Sequence, residues 1–487
     1  MGLWENLKRP FRRKMTKEWI RAGALRSTTP NPRAHDHFRG GNLDVSNNEL
    51  ITEAERARLR AWCKKEYLDN PYARNAARNF ALGVYGTGPS LQVMTQDEAL
   101  NTKIEAIFRT WRKKTQLDWK FHVALNSLFY DGEAFFYFFH TPTIPGGLNV
   151  ELIESRRVRE PYDGHWDVNR LEGITYNEFN EPVLYCVQKE TINPMFGRPE
   201  EFTMVPADFM LHFFLDDVVN QKRGLPLLQS VLQTLAGLQR ISQASLNAWE
   251  LAAKMNLIVQ TGMDAYEFLR CVPKGYDEDS EALVEAFKTI PVPEDGGMTF
   301  LASGMSVNQV KNEHPNSQFH ENKMTYLSEI GAGVGEPRNI ITGDSSSYNF
   351  SSAQLDNQFF TRWGGAVQGK IQTLLNRILT VSLVSHATQY PEIQQLAQIC
   401  DLENIPAEWF FPNVLEGIDR MNNAGSEVAL LQSGLMTHWE YCKRHGLDYE
   451  KHIAQLKREK ELLQTTQNQQ DTTQQENPHN AHQRPRP

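Results

Sequence analysis

One stretch of this chain spells a phosphate-binding motif: Gly364-Gly365-Ala366-Val367-Gln368-Gly369-Lys370 fits G-x-x-x-x-G-K. In loops of that form the backbone amides cradle phosphates, the lysine reaches the terminal ones, and a following Ser or Thr holds Mg²⁺. Ile371 stands at that last position and can hold no metal. The motif also needs a strand before it, whereas this stretch lies inside a helical period. Other chemistry-bearing residues fare no better. Gly331-x-Gly333-x-Gly335 lacks the spacing of a dinucleotide turn and follows a helix. His35-Asp36-His37 offers two imidazoles, but in a basic arm with no further ligand at metal-site spacing. Asp216-Asp217 reads as half of a nuclease pair or as a solvated turn, with no third carboxylate to support the first. No G-x-S-x-G elbow and no H-E-x-x-H occurs. Cys63, Cys186, Cys271, Cys400 and Cys442 are scattered, odd in number and without a C-x-x-C, which fits buried thiols in a reducing compartment. The sequence predicts no catalytic residue, no metal and no cofactor.

The chain has 487 residues, 40 % hydrophobic and 23 % charged, enough for two or more globular domains. No run of eighteen apolar residues exists, so no spanning helix and no membrane partner is expected. The formal net charge is −8. Tight duplex binders present basic stripes, because Lys and Arg release counterions at phosphates. A conduit for DNA needs the reverse, since a cation at every phosphate slows movement. Charge alone does not choose between a conduit and no DNA at all.

The elements that position these residues are legible from caps and breakers. Residues 1–39 form a basic arm, either solvated or ordered against a partner or DNA. Thr52 opens a helix, Asn70-Pro71 breaks it and starts another, and Leu91-Gln92-Val93 is a short strand. Thr95-x-x-Glu98 caps a further helix. After Trp119–Tyr130, short strands are predicted at 133–139, 150–154, 173–178 and 183–189, with Phe135, Phe136, Phe138 and Phe139 as core. Pro226 opens a rod from Leu227 to about Ile258, roughly 48 Å long at 1.5 Å per residue. Its Gln, Asn and Ser face suits packing against copies of itself. Residues 259–315 are cut into pieces by Gly and Pro, and an acidic cluster lies among them. A helix then ends at Gly331, Gly333 and Gly335, the short apolar piece Asn339-Ile340-Ile341 follows, and a small polar loop leads to a long helix from Ala353 to about His386. Gly364, Gly365 and Gly369 suggest a bend there. Gly434, Thr437, Gly446 and Asp448 punctuate the last helices, and the Gln-rich residues 463–487 read as disordered.

The loop between the two helices is Thr342, Gly343, Asp344, Ser345, Ser346, Ser347, Tyr348, Asn349, then Ser351 and Ser352 past Phe350: one acid, no base. Together with Ile330, Gly331, Gly333, Gly335, Pro337 and Ala353, it resembles the tunnel-loop region of lambda-type portal proteins of tailed bacteriophages. Residues 70–93, NPYARNAARNFALGVYGTGPSLQV, resemble the N-terminal signature of that family. Residues 221–235 resemble its R-G-x-P opening of the stem, although Gln221-Lys222 stands where the family has Gly-Gln.

The resemblance implies an α+β, mostly helical, portal-type subunit assembling into a ring. Its parts would be the arm at 1–39, a wing at 40–220, a stem helix at 221–258 and a clip at 259–315. A second stem helix at 316–340, the tunnel loop at 341–352, a kinked wing helix at 353–400, crown helices at 401–462 and the tail at 463–487 would follow. It implies a structural role: a homo-oligomer, usually of twelve subunits, at one capsid vertex of the virion, assembled in the host cytoplasm. Double-stranded DNA would pass through it without sequence preference. The terminase large subunit, the major capsid or scaffolding protein and head-completion proteins would be its partners. The loop residues from Thr342 to Ser352 named above would line the channel, with Asp344 either capping the loop or repelling phosphate. The competing class is a DNA-processing enzyme, a packaging ATPase or nuclease, which the missing Ser/Thr after Lys370 disfavours.

Overall fold

Caps and turns divide the chain much as its sequence suggests. A computed structural model describes residues 51–144, 147–161, 169–190, 201–254, 258–261, 305–308, 317–346, 349–412 and 420–475. They fall into two compact units, one made by the chain up to Gln233 together with the chain from Glu329 onward, the other by Thr234–Ser328. His35, Asp36, His37 and Cys271 lie outside the described residues.

In the larger unit, α1 (Glu53–Asp69) starts at a reciprocal capping box: the Thr52 hydroxyl accepts from the Glu55 amide at 3.3 Å, and the Glu55 carboxylate accepts from the Thr52 amide at 3.0 Å. Asn70 caps α2 (Pro71–Tyr85), and β1 (Ser90–Val93) follows. The cap of α3 (Glu98–Lys114) is Asp97, not Thr95. A carboxylate at a helix N-terminus satisfies an amide and also meets the positive end of the helix dipole, and Asp97 Oδ1 accepts from the Leu100 amide at 3.0 Å. The Thr95 hydroxyl is engaged with Asn101 instead.

Helix α4 (Leu117–Tyr130) leads into two antiparallel sheets. The strands are β2 (Glu133–His140), β3 (Leu148–Ile153), β4 (Arg170–Leu171), β5 (Ile174–Tyr176), β6 (Pro182–Gln188), β7 (Phe202–Pro206) and β8 (Met210–Phe214). Their orders are β3-β2-β8 and β4-β5-β6-β7. Successive side chains of a strand face opposite ways, and β2 uses both faces. Phe135 packs with Ile153, Ile174, Tyr185 and Val205, between residues of the two sheets, while Phe136 meets Phe121 of α4 with ring centroids 4.9 Å apart. Phe135, Phe136 and Phe138 are buried as expected, and Phe139 only partly.

A 3₁₀ turn (Leu227–Val231) leads into α5 (Leu232–Lys254), so the expected rod is α-helical only from Leu232 and ends before Ile258. In the smaller unit α5 runs antiparallel to α6 (Ser317–Val334). Gly237 lies against Tyr326, and Trp249 meets Phe319 at 5.9 Å. There β9 (Ile258–Thr261) pairs with β10 (Met305–Asn308).

Back in the larger unit come α7 (Arg338–Thr342), α8 (Phe350–His386), α9 (Pro391–Ile399) and β11 (Ala407–Phe410). The last pairs antiparallel with β1. The short apolar piece 339–341 is therefore helix, and α8 starts three residues ahead of Ala353 and runs unbroken through Gly364, Gly365 and Gly369. The chain closes with α10 (Arg420–Gln432), α11 (His438–Arg444) and α12 (Tyr449–Gln475). Thr437 caps α11, and Gly434 and Gly446 take positive φ, as their positions suggest. Helix α12 continues past Leu462 into the Gln-rich run read as disordered, because glutamine is as good a helix former as Lys or Glu.

A buried ionic network joins these elements. Glu133, the first residue of β2, is fully buried. Its carboxylate accepts from Arg223 Nε at 3.0 Å to each oxygen, from Arg60 Nη2 at 2.6 Å, from His212 Nε2 at 2.9 Å and from the Gly224 amide at 2.9 Å. Ser155 donates to it as well. Arg223 further donates to the carbonyls of Val158 (3.1 Å) and Glu172 (2.6 Å), and Arg56 pairs with the Glu172 carboxylate at 3.0 Å. The segment approaches so closely that a Cβ on Gly224 would lie 2.1 Å from the Gly132 carbonyl oxygen. Burial would lift the Glu133 carboxyl, but Arg223 and Arg60 outweigh it and hold the group well below the ordinary carboxylate range. Burial also pushes His212 below its ordinary value, against the pull of Glu133.

Arg223→Met leaves a buried carboxylate short of its main partner and is expected to cost about 3–5 kcal/mol in urea unfolding. The lowered Glu133 pKa means that its contribution is present above the ordinary value of 4.5 and is withdrawn only as acid protonates it. Glu133→Gln should therefore flatten the acid limb of stability against pH.

Candidate nucleic-acid interface

The loop is built from its two ends. Helix α6 stops because Gly335 adopts φ +76°, and the Glu336 amide then donates to the Gly331 carbonyl at 2.9 Å. Gly333 has no room for a side chain: a Cβ would lie 2.2 Å from Val231 Cγ1. The G-x-G-x-G spacing thus serves packing and helix termination, not phosphate binding. Pro337 then starts α7, and Gly343, at φ +68°, ends it by donating to the Asn339 carbonyl at 2.8 Å.

A helix leaves its last carbonyls without internal partners. Here α2 supplies them. Asn75 Nδ2 donates to the Ile341 carbonyl at 2.8 Å and to that of Ile340 at 3.1 Å; Asn79 Nδ2 donates to Ile340 at 2.9 Å. These two residues, one turn apart, fix α7 and hence the start of the loop. Sequence reasoning did not single them out. Their i, i+4 spacing beside the apolar stripe Ala73-Ala76-Ala77-Phe80 was the available signal.

Of the expected loop residues, Thr342 is the last of α7 and half-buried, and Ser351 and Ser352 already belong to the first turn of α8. Gly343, Asp344, Ser345, Ser346 and Asn349 are exposed between the helices, whereas Ser347 and Tyr348 lie outside the described residues. Several local bonds shape the loop. The Thr342 hydroxyl donates to the Arg338 carbonyl at 2.9 Å and accepts from the Asp344 amide at 3.1 Å. Asp344 Oδ1 accepts from the Ser346 amide at 2.9 Å, so its carboxylate caps a turn. Asn349 caps α8 through the Ser352 amide at 2.8 Å. No Lys or Arg occurs from Thr342 to Ser352.

The apparent phosphate loop is helix. Gly365 and Gly369 face open space, and Lys370 donates to the Phe214 carbonyl at 3.1 Å while pairing with Asp216. That pair accounts for one member of each suspected catalytic motif. Among the described residues no group of three His, Cys, Asp or Glu is placed to hold a metal, and no helix is long and apolar enough to cross a membrane.

The family model described as phage portal protein, lambda family, matches residues 39–363, more than half of the chain and all of the loop. No curated protein matches the sequence. Among solved structures, a chain in the virion of a native gene transfer agent particle is 14% identical, covering 80% of this chain and 93% of that one at a TM-score of 0.45. One in the neck of the native particle computed with C12 symmetry is 14% identical, covering 82% and 95% at 0.45. An HK97-family phage portal protein from Corynebacterium diphtheriae is 12% identical, covering 63% and 83% at 0.31. At these scores the structural likenesses carry no argument, and the family rests on the sequence match: the chain belongs to the lambda family of phage portal proteins.

Proposed function

We propose that copies of this chain, twelve in the form the family resemblance implies, close into a ring at a capsid vertex, and that double-stranded DNA is packaged and ejected through it. The exposed, uncharged-to-acidic loop between α7 and α8 carries this reading. Gly343, Asp344, Ser345, Ser346 and Asn349 would line the channel, with Ser347 and Tyr348 continuing the lining and Thr342, Ser351 and Ser352 at its margins. Hydroxyls and amides give passing phosphates shallow, replaceable contacts, whereas a ring of cations would bind them and release counterions. Terminase, the capsid or scaffolding protein and head-completion proteins would meet other faces of the ring at the portal vertex. The bonds of Lys370 support a structural role over an ATPase.

Purified protein should form closed rings, checked by mass photometry at micromolar concentration in several salts; monomer throughout would sink the assembly. Replacing Ser345 and Ser346 with Arg should leave the ring intact and slow packaging or ejection, most at low salt, where Coulomb attraction is least screened. Translocation unchanged at every ionic strength would remove the loop from the channel. Asn75→Ala with Asn79→Ala strips partners from two half-buried carbonyls. It is expected to cost about 1–3 kcal/mol locally, read as faster hydrogen exchange over residues 338–346.

A further inference from the structure

The handover from α6 to α7 buries a carboxyl group that nothing answers. Glu336 is 4% exposed, and neither Oε1 nor Oε2 has a hydrogen-bond partner among the described residues. Two more unpaired polar atoms belong to the same handover. One is Asn339 Oδ1 on α7; the other is Trp363 Nε1 on α8, which lies 3.2 Å from the position of a Cβ on Gly335. A buried unpaired carboxylate is far costlier than a neutral carboxyl. Burial alone lifts the Glu336 carboxyl to about 9, with no charged neighbour contributing. The charged residues of the surrounding elements are Glu321, Lys323 and Glu329 on α6, Arg338 on α7, Asp356, Arg362, Lys370 and Arg377 on α8, and Arg74 and Arg78 on α2. None of them acts on the Glu336 carboxyl electrostatically.

Gly335 and Gly343, both at positive φ, flank α7, which has only five residues. What holds α7 from outside is the amide pair of Asn75 and Asn79.

We propose that Glu336 is a proton-dependent latch: protonated, it rests in the α6–α7 junction and keeps α7 and the loop seated on α2; swung into water, it releases its proton and frees them to take a second position. The balance is one proton, passed from the carboxyl O–H to solvent on opening. A solvated carboxyl titrates near 4.5, the buried one near 9. The closed form binds its proton more tightly, so it is most favoured below the lower value and loses ground as pH rises towards the upper one. Between the two, the opening constant gains up to about tenfold per pH unit.

Hydrogen exchange of the full chain between pH 6 and 9 tests this, following peptides over residues 336–346 with α4 peptides as reference. After correction for intrinsic hydroxide catalysis, opening of 336–346 should rise by up to about tenfold per pH unit while α4 stays level. Glu336→Gln keeps the shape and cannot ionise, so its profile should be flat; Glu336→Met, which fills the site without a polar group, should be flat and more protected. An equal slope in wild type and both variants would overturn the latch. So would a parallel rise in α4, which would mean that the whole unit loosens rather than the junction.

Discussion

The pairing of Glu133 with Arg223 is the constraint on which the larger unit turns. One carboxylate is touched from α1, the turn after β3, strand β8 and the segment leading to α5, so those elements have a single mutual arrangement. A charge taken out of water demands this. Its desolvation is offset only where several donors converge with good geometry. Gly132 and Gly224 have no side chains because their backbones must nearly touch for Arg223 to reach Glu133. The R-G-x-P segment therefore does two jobs in four residues: Arg223 and Gly224 lock onto the two antiparallel sheets, and Pro226 starts the 3₁₀ turn that leads into α5.

In the chain that lock precedes α5, and the loop follows α7. Here the chemistry is opposite. Among the described residues of 342–352, Thr342, Asp344 and Asn349 accept from amides two or three residues on. Such bonds shape each turn locally, which suits the channel lining proposed for this loop.

Much of the frame was legible in the sequence because caps and breakers act locally. Thr52, Asn70, Thr437, Gly434 and Gly446 each fix their own few residues of backbone. Asp97 was missed because two capping candidates lay two residues apart and only geometry chose between them. The extension of α12 past Leu462 was missed because composition reports what cannot form a core, not what cannot form a helix. Asn75 and Asn79 were missed for a different reason: their partners are carbonyls 261 to 266 residues away, and no periodicity encodes which helix end will arrive there. The same holds for Glu133, which reads as an ordinary residue after an Asp-Gly turn until Arg223 is brought to it from 90 positions downstream.

Two buried carboxyls mark the ends of this logic. Glu133 collects donors from five residues, and its pKa is driven down; Glu336 collects none among the described residues, and burial drives its pKa up. The first can leave its site only by stranding two arginines, so it is a fixed point. The second leaves nothing charged behind when it moves, and water welcomes it. A fully answered charge thus ties the sheets of the larger unit together, while an unanswered acid stands at the α6–α7 junction, where the proposed latch would act.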